Sequence, residues 1–302
     1  MRDYRALLAA IAVPRLTGTV ANQQIREVLK RELEARGFVV MEHRFAGRSL
    51  LYHLGRAPLE GVNLIAVRPR ARVSVWLAAH YDSKGQPLSM ATRLVAAVLV
   101  TLGALELLAL VVRAWLGPLH AGAPDILAGA AGVAGILLLA ANRVTDRSAG
   151  AVDNAAGVVA VLATLDALPP EAGVGVLLPD AEEYGLLGAR ALVRERAHLL
   201  GDTCLINFDG IDDRGVTIAF VHRAGSTVER ATAALGARRA RWLPVLVDGL
   251  VLTSAAREGV TIMRGDWRTA QVVHTPRDSA ERLTLDGVRM VAEGVARALT
   301  QV

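Results

Sequence analysis

The sequence predicts an α/β fold: a mostly parallel mixed sheet flanked by helices on both faces, plus an inserted apolar α-helical hairpin. Three observations predict it. Short runs rich in Val, Leu and Ile alternate with segments of helical periodicity, the pattern of a sheet covered on both faces. Polar residues gather where those runs end, the edge at which open α/β sheets place their sites. Residues 88–141 break the pattern, with no alternation and almost no charge.

The elements follow in order. MRDYRALLAAIAVPRL has a short apolar stretch framed by Pro14 and arginines, so it reads as an amphipathic helix rather than a signal peptide. From Asn22 to Arg36, apolar residues at Ile25, Val28, Leu29 and Leu33 keep helical spacing, and Gly37 is the stop. FVVMEHRF, GVNLIAV and VSVWLAA read as strands, the third ending at His80. AAGVVAVLATLDAL, after Asp153, reads as a helix stopped by Pro169. GVGVLL is a buried strand that runs out at the paired Glu182 and Glu183, and LLGARALVRERAHLL is a helix. TCLINF is a strand ending at Asp209, and VTIAFVH and GVTIMRG add two more. A closing helix, TLDGVRMVAEGVARALT, has Val288, Val291, Val295 and Leu299 on one face.

The insert reads differently. Met90 to Val112 is 23 residues with only Arg93 and Glu106 ionisable, and ILAGAAGVAGILLLAA is 16 residues with no charge. A bilayer span needs about 20 apolar residues. Gly129, Gly132 and Gly135 would let a partner helix approach closely, and GPLHAGAP is short enough to turn a hairpin. A soluble hairpin packed over the site is the competing reading, favoured by Glu106 at mid-helix. The missing polar face favours the membrane. Residues 87–148 are thus expected to be a membrane anchor and residues 1–86 with 149–302 one discontinuous domain. Lys84, Arg93, Arg143 and Arg147 at the open end make the main domain cytoplasmic by the positive-inside rule.

Composition excludes other classes. The 302 residues carry a formal charge of +5, but the basic residues are scattered arginines, with only Lys30 and Lys84 as lysines. Aromatics make up 4%, too few for a stacking platform, so no nucleic-acid partner is expected. Cys204, the one cysteine, lies in the apolar run CLINF and reads as core.

Five sites carry the chemistry: His80 and Asp82 in AAHYDS, Asp153 in GAVDNAAG, Glu182 and Glu183 in DAEEYG, Asp209 in NFDGID, and His274 in VVHTPRD. Singly each has a plain structural reading; Asp153, for instance, could cap the helix after it. Together, two histidines and several carboxylates form a ligand list for two borderline divalent metals, with one carboxylate shared. The order H-x-D, G-A-x-D-N-x-x-G, E-E, a strand-end D and a late H-T resembles the M28 family of di-zinc aminopeptidases. PRLTGTVANQQ, GVNLIAV and HTPRDSAERLTLDGV extend the resemblance over residues 14–300 except the insert.

The resemblance implies a zinc exopeptidase-like fold and specific roles. His80 and Asp209 would bind one zinc, Glu183 and His274 the other, and Asp153 would bridge them; cobalt or manganese are possible substitutes. Asp82 would hold the His80 imidazole by its other N–H. Glu182 would be the general base, taking a proton from the zinc-activated water and returning it to the leaving amine. The substrate would be a peptide with a free N-terminus. The same scaffold also supports glutaminyl cyclisation and other amide chemistry, and a non-catalytic membrane-bound scaffold is a further alternative. The chain departs from the family in its long insert. It also departs in tyrosine: only Tyr4, Tyr52, Tyr81 and Tyr184 occur, none between Asp209 and His274, where the oxyanion-stabilising tyrosine is expected. His222 is a conceivable substitute donor. Trp242 and Trp267 could line a pocket, or serve as core or rim packing.

Overall fold

The computed structural model describes residues 2–49, 57–118 and 121–300. Tyr52 and the hairpin-turn residues Leu119 and His120 lie outside them. In chain order the elements are α1 (Tyr4–Ile11), α2 (Val20–Glu34), β1 (Val39–Gly47), β2 (Leu59–Val67), β3 (Val75–Ala78), α3 (Met90–Leu116), α4 (Ala123–Ala141), α5 (Ala156–Ala167) and β4 (Val174–Leu178). There follow α6 (Leu187–Arg196), β5 (Cys204–Ile211), β6 (Val216–Arg223), α7 (Ser226–Ala234), β7 (Arg238–Ala240), α8 (Asp248–Leu252), β8 (Glu258–Gly265), α9 (Trp267–Ala270) and α10 (Asp286–Thr300).

One eight-stranded sheet runs β1-β2-β4-β3-β5-β8-β6-β7. Its centre, β4-β3-β5-β8, is parallel. β1, β2 and β6 join antiparallel at the flanks, and β7 lies parallel to β6. The period of two along each strand divides the core. Leu77, Val176, Ile206 and Val260 pack on one face with α5 and α10 residues such as Val159, Leu162 and Val291. Trp76, Leu177 and Leu205 pack on the other with Ala189, Leu192 and Leu252 of α6 and α8. Both faces are covered, which is why these strands read as continuous apolar runs.

Several boundaries shift by one to four residues from the sequence reading, and two of the shifts have a clear structural cause. α2 begins at Val20, because the Thr19 hydroxyl accepts the Asn22 N–H and caps the helix two residues early. β5 does not stop at Asp209; it continues to Ile211 through a register shift against β8, with Gly210 at φ +67°. This bulge turns Asp209 while the strand goes on.

The insert leaves and returns through a narrow neck. Gly85 and Thr145 exchange backbone hydrogen bonds of 2.6 and 2.8 Å, and Gln86 N–H donates to the His274 carbonyl at 2.7 Å. Beyond the neck, α3 and α4 pack closely on glycine. A Cβ on Gly132 would stand 2.9 Å from Gly103 Cα, and one on Gly135 would stand 2.7 Å from the Ala96 carbonyl. Gly129 faces open space, so the α3 partner surface uses Gly132 and Gly135 but not Gly129. The hairpin is otherwise bare: only Ala91 and Ala96 of α3, and Gly132 and Gly135 of α4, are buried. Both helices are long and apolar enough to cross a membrane. Glu106 does not stand alone there, since Arg113 reaches Glu106 at 2.6 Å and Asp125 at 2.5 Å.

Gly132→Leu should force α3 and α4 apart, at a cost of about 1–3 kcal/mol, whereas Gly129→Leu should change stability by less than about 0.5 kcal/mol. Thermal unfolding of the two variants in detergent tests this contrast.

Candidate metal centre

The site forms where β3, β4 and β5 end and α5 begins. His80 and Asp82 follow β3, and Glu182 and Glu183 follow β4. The turn carrying the two glutamates is tight, with Ala181 at φ +56° and Leu186 at φ +63°, both left-handed without being glycine. Such positions persist only where surrounding contacts fix them. Here two carboxylates do so. Asp180 accepts N–H bonds from Val62 and Ala181 and is also held by Thr17 and Asn22. Asp82 accepts the Glu182 and Glu183 N–H groups, one on each oxygen, both at 3.2 Å.

Asp82 therefore does more than the sequence suggested. It lies 3.3 Å from His80 Nδ1, but that nitrogen makes no hydrogen bond, and Asp82 accepts its bonds from the glutamate backbone and the Thr17 hydroxyl. Asp153 is set by Asp278, which accepts the Val152 N–H at 2.7 Å and the Asp153 N–H at 3.3 Å. The adjacent Asn154, across a cis peptide, bonds the Phe208 carbonyl and the Gly210 N–H, tying this loop to the β5 bulge.

All six residues of the predicted ligand set and base converge, in two groups. His80, Glu182 and Asp209 offer atoms within 4.8 Å of one another, and so do Asp153, Glu183 and His274. Asp153 stands between them: one oxygen is 3.1 Å from His80 Nε2 and the other 2.9 Å from His274 Nε2. His274 Nε2 and Glu183 Oε1 lie 2.9 Å apart, yet both are buried without a hydrogen-bond partner. Lone pairs aimed at a common point rather than at each other fit a metal ligand pair, and the mix of imidazole and carboxylate suits a borderline divalent ion.

The electrostatics show the same need. Burial pushes the Glu182 carboxyl well up; His80 opposes this, while Glu183, Asp209 and Asp248 add to it. Burial raises Asp209 to about 7 despite His80, with Asp153 and Glu183 adding to the rise. Burial acts the same way on Glu183, but His274 and Lys84 outweigh it and hold the group at about 2. For His80, burial favours the neutral ring, but Glu182, Asp153 and Asp82 overcome it and raise the pKa well above the usual value.

The sequence profile of peptidase family M28 matches residues 63–299. The chain belongs to peptidase family M28. Solved structures similar to this M28 chain include a Zn-dependent exopeptidase of Parabacteroides distasonis, with 17% identity and TM-score 0.63 over 99% of this chain and 96% of that one. A zinc aminopeptidase of Bacillus subtilis has 12% identity and TM-score 0.65, covering 99% and 94%. A glutaminyl cyclase of Bacteroides thetaiotaomicron has 17% identity and TM-score 0.65, covering 99% and 98%. At these identities the likeness is one of fold. Among curated protein sequences none matches this chain.

Three residues of this M28 site were missed in the sequence. Asp248, at the start of α8, is fully buried with neither carboxylate oxygen hydrogen-bonded, and its charge acts on Glu182. Lys84 Nζ lies 2.7 Å from Glu183 Oε2. Arg93, on the first turn of α3, touches His274 Nδ1. His222 keeps one ring nitrogen, Nδ1, buried without a hydrogen-bond partner. Its Nε2 bonds Thr261 at 2.8 Å, and burial lowers its pKa to about 4, so the ring is neutral. Tyr81 is spent on the Val62 carbonyl and Tyr4 on Asp166. Trp242 and Trp267 stand exposed at the rim, outside the lining of the cavity.

These shifts set a pH dependence for metal-free protein. Asp209, at about 7, and Asp180, raised by burial and Asp82 to about 6, hold protons in the folded chain that their unfolded forms have released. His80 acts in the same direction, and Glu183, at about 2, is ionised throughout. Stability of chelator-stripped protein should therefore fall as pH rises from about 5 to about 8. Thermal unfolding at the two ends of this range checks it, and added zinc should restore most of the loss at the upper end.

Proposed function

We propose that this M28 chain is a metal-dependent aminopeptidase that removes N-terminal residues from peptides, held at a membrane by its hairpin. One observation carries the reading. Glu182 and Glu183, adjacent in sequence, open into different clusters, Glu182 beside His80 and Asp209, Glu183 beside Asp153 and His274. Two carboxylates at one strand end can then do two jobs.

His80 and Asp209 would hold one zinc ion, Glu183 and His274 a second, and Asp153 would be shared. When bound, such ions polarise the scissile carbonyl and acidify the attacking water. The remaining work falls to the chain. Glu182 is buried, and burial raises its carboxyl well above the usual carboxylate range, which makes it a better proton acceptor than an exposed glutamate. It takes a proton as the water oxygen bonds to the carbonyl carbon. It passes that proton to the departing nitrogen as the C–N bond breaks, and so returns to its starting state. Asp82, on the Glu182 and Glu183 N–H groups, fixes their aim.

Substrate enters a cavity of about 510 Å³. Part of its lining is acidic, with Asp153, Glu182, Glu183 and Asp209, and suits a free α-ammonium group. Leu94, Leu243, Val245 and Met263 make its walls apolar, which favours an apolar first side chain.

Glu182→Gln should keep its bound metal and lose turnover by on the order of 10²–10⁴-fold. Glu183→Gln should lose metal, measured by mass spectrometry of the purified protein. Identical behaviour of the two variants would overturn the division of labour, and a wild type without metal would favour a scaffold protein. A panel of amino-acyl amides and N-terminal glutaminyl peptides separates aminopeptidase from glutaminyl cyclase. Activity on the glutaminyl peptides alone would replace the first reading by the second.

The anchor has its own test. Removing residues 88–141 leaves the Gly85–Thr145 neck to close the gap, and the shortened protein should move from the detergent phase to the aqueous phase. Unchanged partition would sink the membrane reading.

A further inference from the structure

The hairpin does not stand apart from the cavity. Met90, Arg93 and Leu94, on the first turn of α3, form part of its wall. Residues 243–247, with Asp266, Thr269 and Ala270, form another part, and α9 packs against α3. The cavity therefore lies within a turn or so of the hairpin's base.

The outer side of that second wall is unusual. Trp242 is 75% exposed, Leu246 64% and Trp267 54%. Arg241 and Arg268 are exposed beside the two tryptophans. The nearby anion, Asp266, is directed at the backbone, where it accepts the Arg268 and Thr269 N–H groups. Tryptophan has an apolar body and a polar N–H, so it gains most where hydrocarbon meets headgroup; arginine there reaches phosphate.

The height of this rim matches the hairpin. α3 has 27 residues, about 40 Å of helix, against roughly 30 Å of hydrocarbon. Arg93 and Arg113, near its ends, are 20 residues or about 30 Å apart. The turn of α3 up to Arg93 would thus stand in the headgroup layer, level with the cavity wall that it helps to build.

We propose that Trp242, Leu246 and Trp267, with Arg241 and Arg268, form a second membrane contact that seats on a phospholipid surface. The catalytic cavity then opens into the headgroup layer. This rests on the membrane reading of the hairpin and extends it to the rim. It narrows the substrate class to peptides whose N-termini lie at a membrane surface, because such ends reach the cavity without first crossing bulk water.

The test uses the full chain in phosphatidylcholine–phosphatidylglycerol vesicles. Cys204 is buried, so a cysteine added at the surface takes the label. A fluorophore is placed on Leu246→Cys, on Trp242→Cys, and on Glu171→Cys, a control at the opposite end of the sheet where β4 begins. With brominated lipids, the dyes at 246 and 242 should be quenched severalfold more than the dye at 171. If the protein floats with the vesicles and all three dyes are quenched alike, the rim contact is wrong and the hairpin reading stands. If the protein does not float with the vesicles, both are wrong.

Discussion

Negative charge crowded into a dry pocket is the constraint from which this structure follows. Asp82, Asp153, Glu182, Glu183, Asp209 and Asp248 meet at one edge of the sheet, largely shielded from water. Two like charges 4 Å apart at an effective dielectric constant of 20 repel by about 4 kcal/mol. Each carboxylate therefore needs an answer. Asp82 takes backbone N–H groups, Glu183 takes Lys84, and His80 and His274 sit between acids. Arg15, fully buried, bonds the carbonyls of Tyr81, Ala149 and Gly150 and adds positive charge behind the loops. Burial lowers its pKa to about 10, still far above neutrality. What these groups leave uncompensated is the part that divalent cations are suited to supply.

Legibility in the sequence tracks how local the cause is. VSVWLAA and GVGVLL were readable because a strand buried on both faces carries its environment in its own composition. AAHYDS and DAEEYG were readable because each hangs on the end of such a run, whereas Asp153 opens a helix and His274 follows α9. The end of β5 was misplaced, because the bulge after Asp209 depends on pairing with β8, a partner about fifty residues away. Gly129 was misjudged because the packing of α3 decides which glycines are used: Gly132 meets Gly103 and Gly135 meets Ala96 and Val100, while Gly129 meets nothing. Asp248 gave no signal, since an Asp-Gly pair after an apolar run reads as a turn; its role comes from burial beside groups far away in sequence. Lys84 offered a faint one, being one of two lysines in an arginine-rich chain and two residues after Asp82.

The insertion sits where the fold can bear it. Closing a long loop costs little more than closing a short one, because the entropy grows only with the logarithm of length. The Gly85–Thr145 pairing, with Gln86 tied to His274 and Leu88 to Asn142, completes the loop before the hairpin begins. The ligand loops on either side, at Asp82 and Asp153, are therefore positioned by contacts outside the hairpin, to Arg15, Asp278 and the glutamate turn.

That neck separates two properties that enzymes usually vary together. The metal-facing residues lie on the sheet side of it, and Met90, Arg93 and Leu94 lie beyond it. Exchanging the hairpin for another pair of helices would redraw one wall of the cavity and replace the Arg93 contact to His274, while the loops at Asp82 and Asp153 keep their own supports. The insert is thus a part that can vary by itself: one wall of the cavity changes with it, while the supports of the Asp82 and Asp153 loops lie elsewhere in the chain.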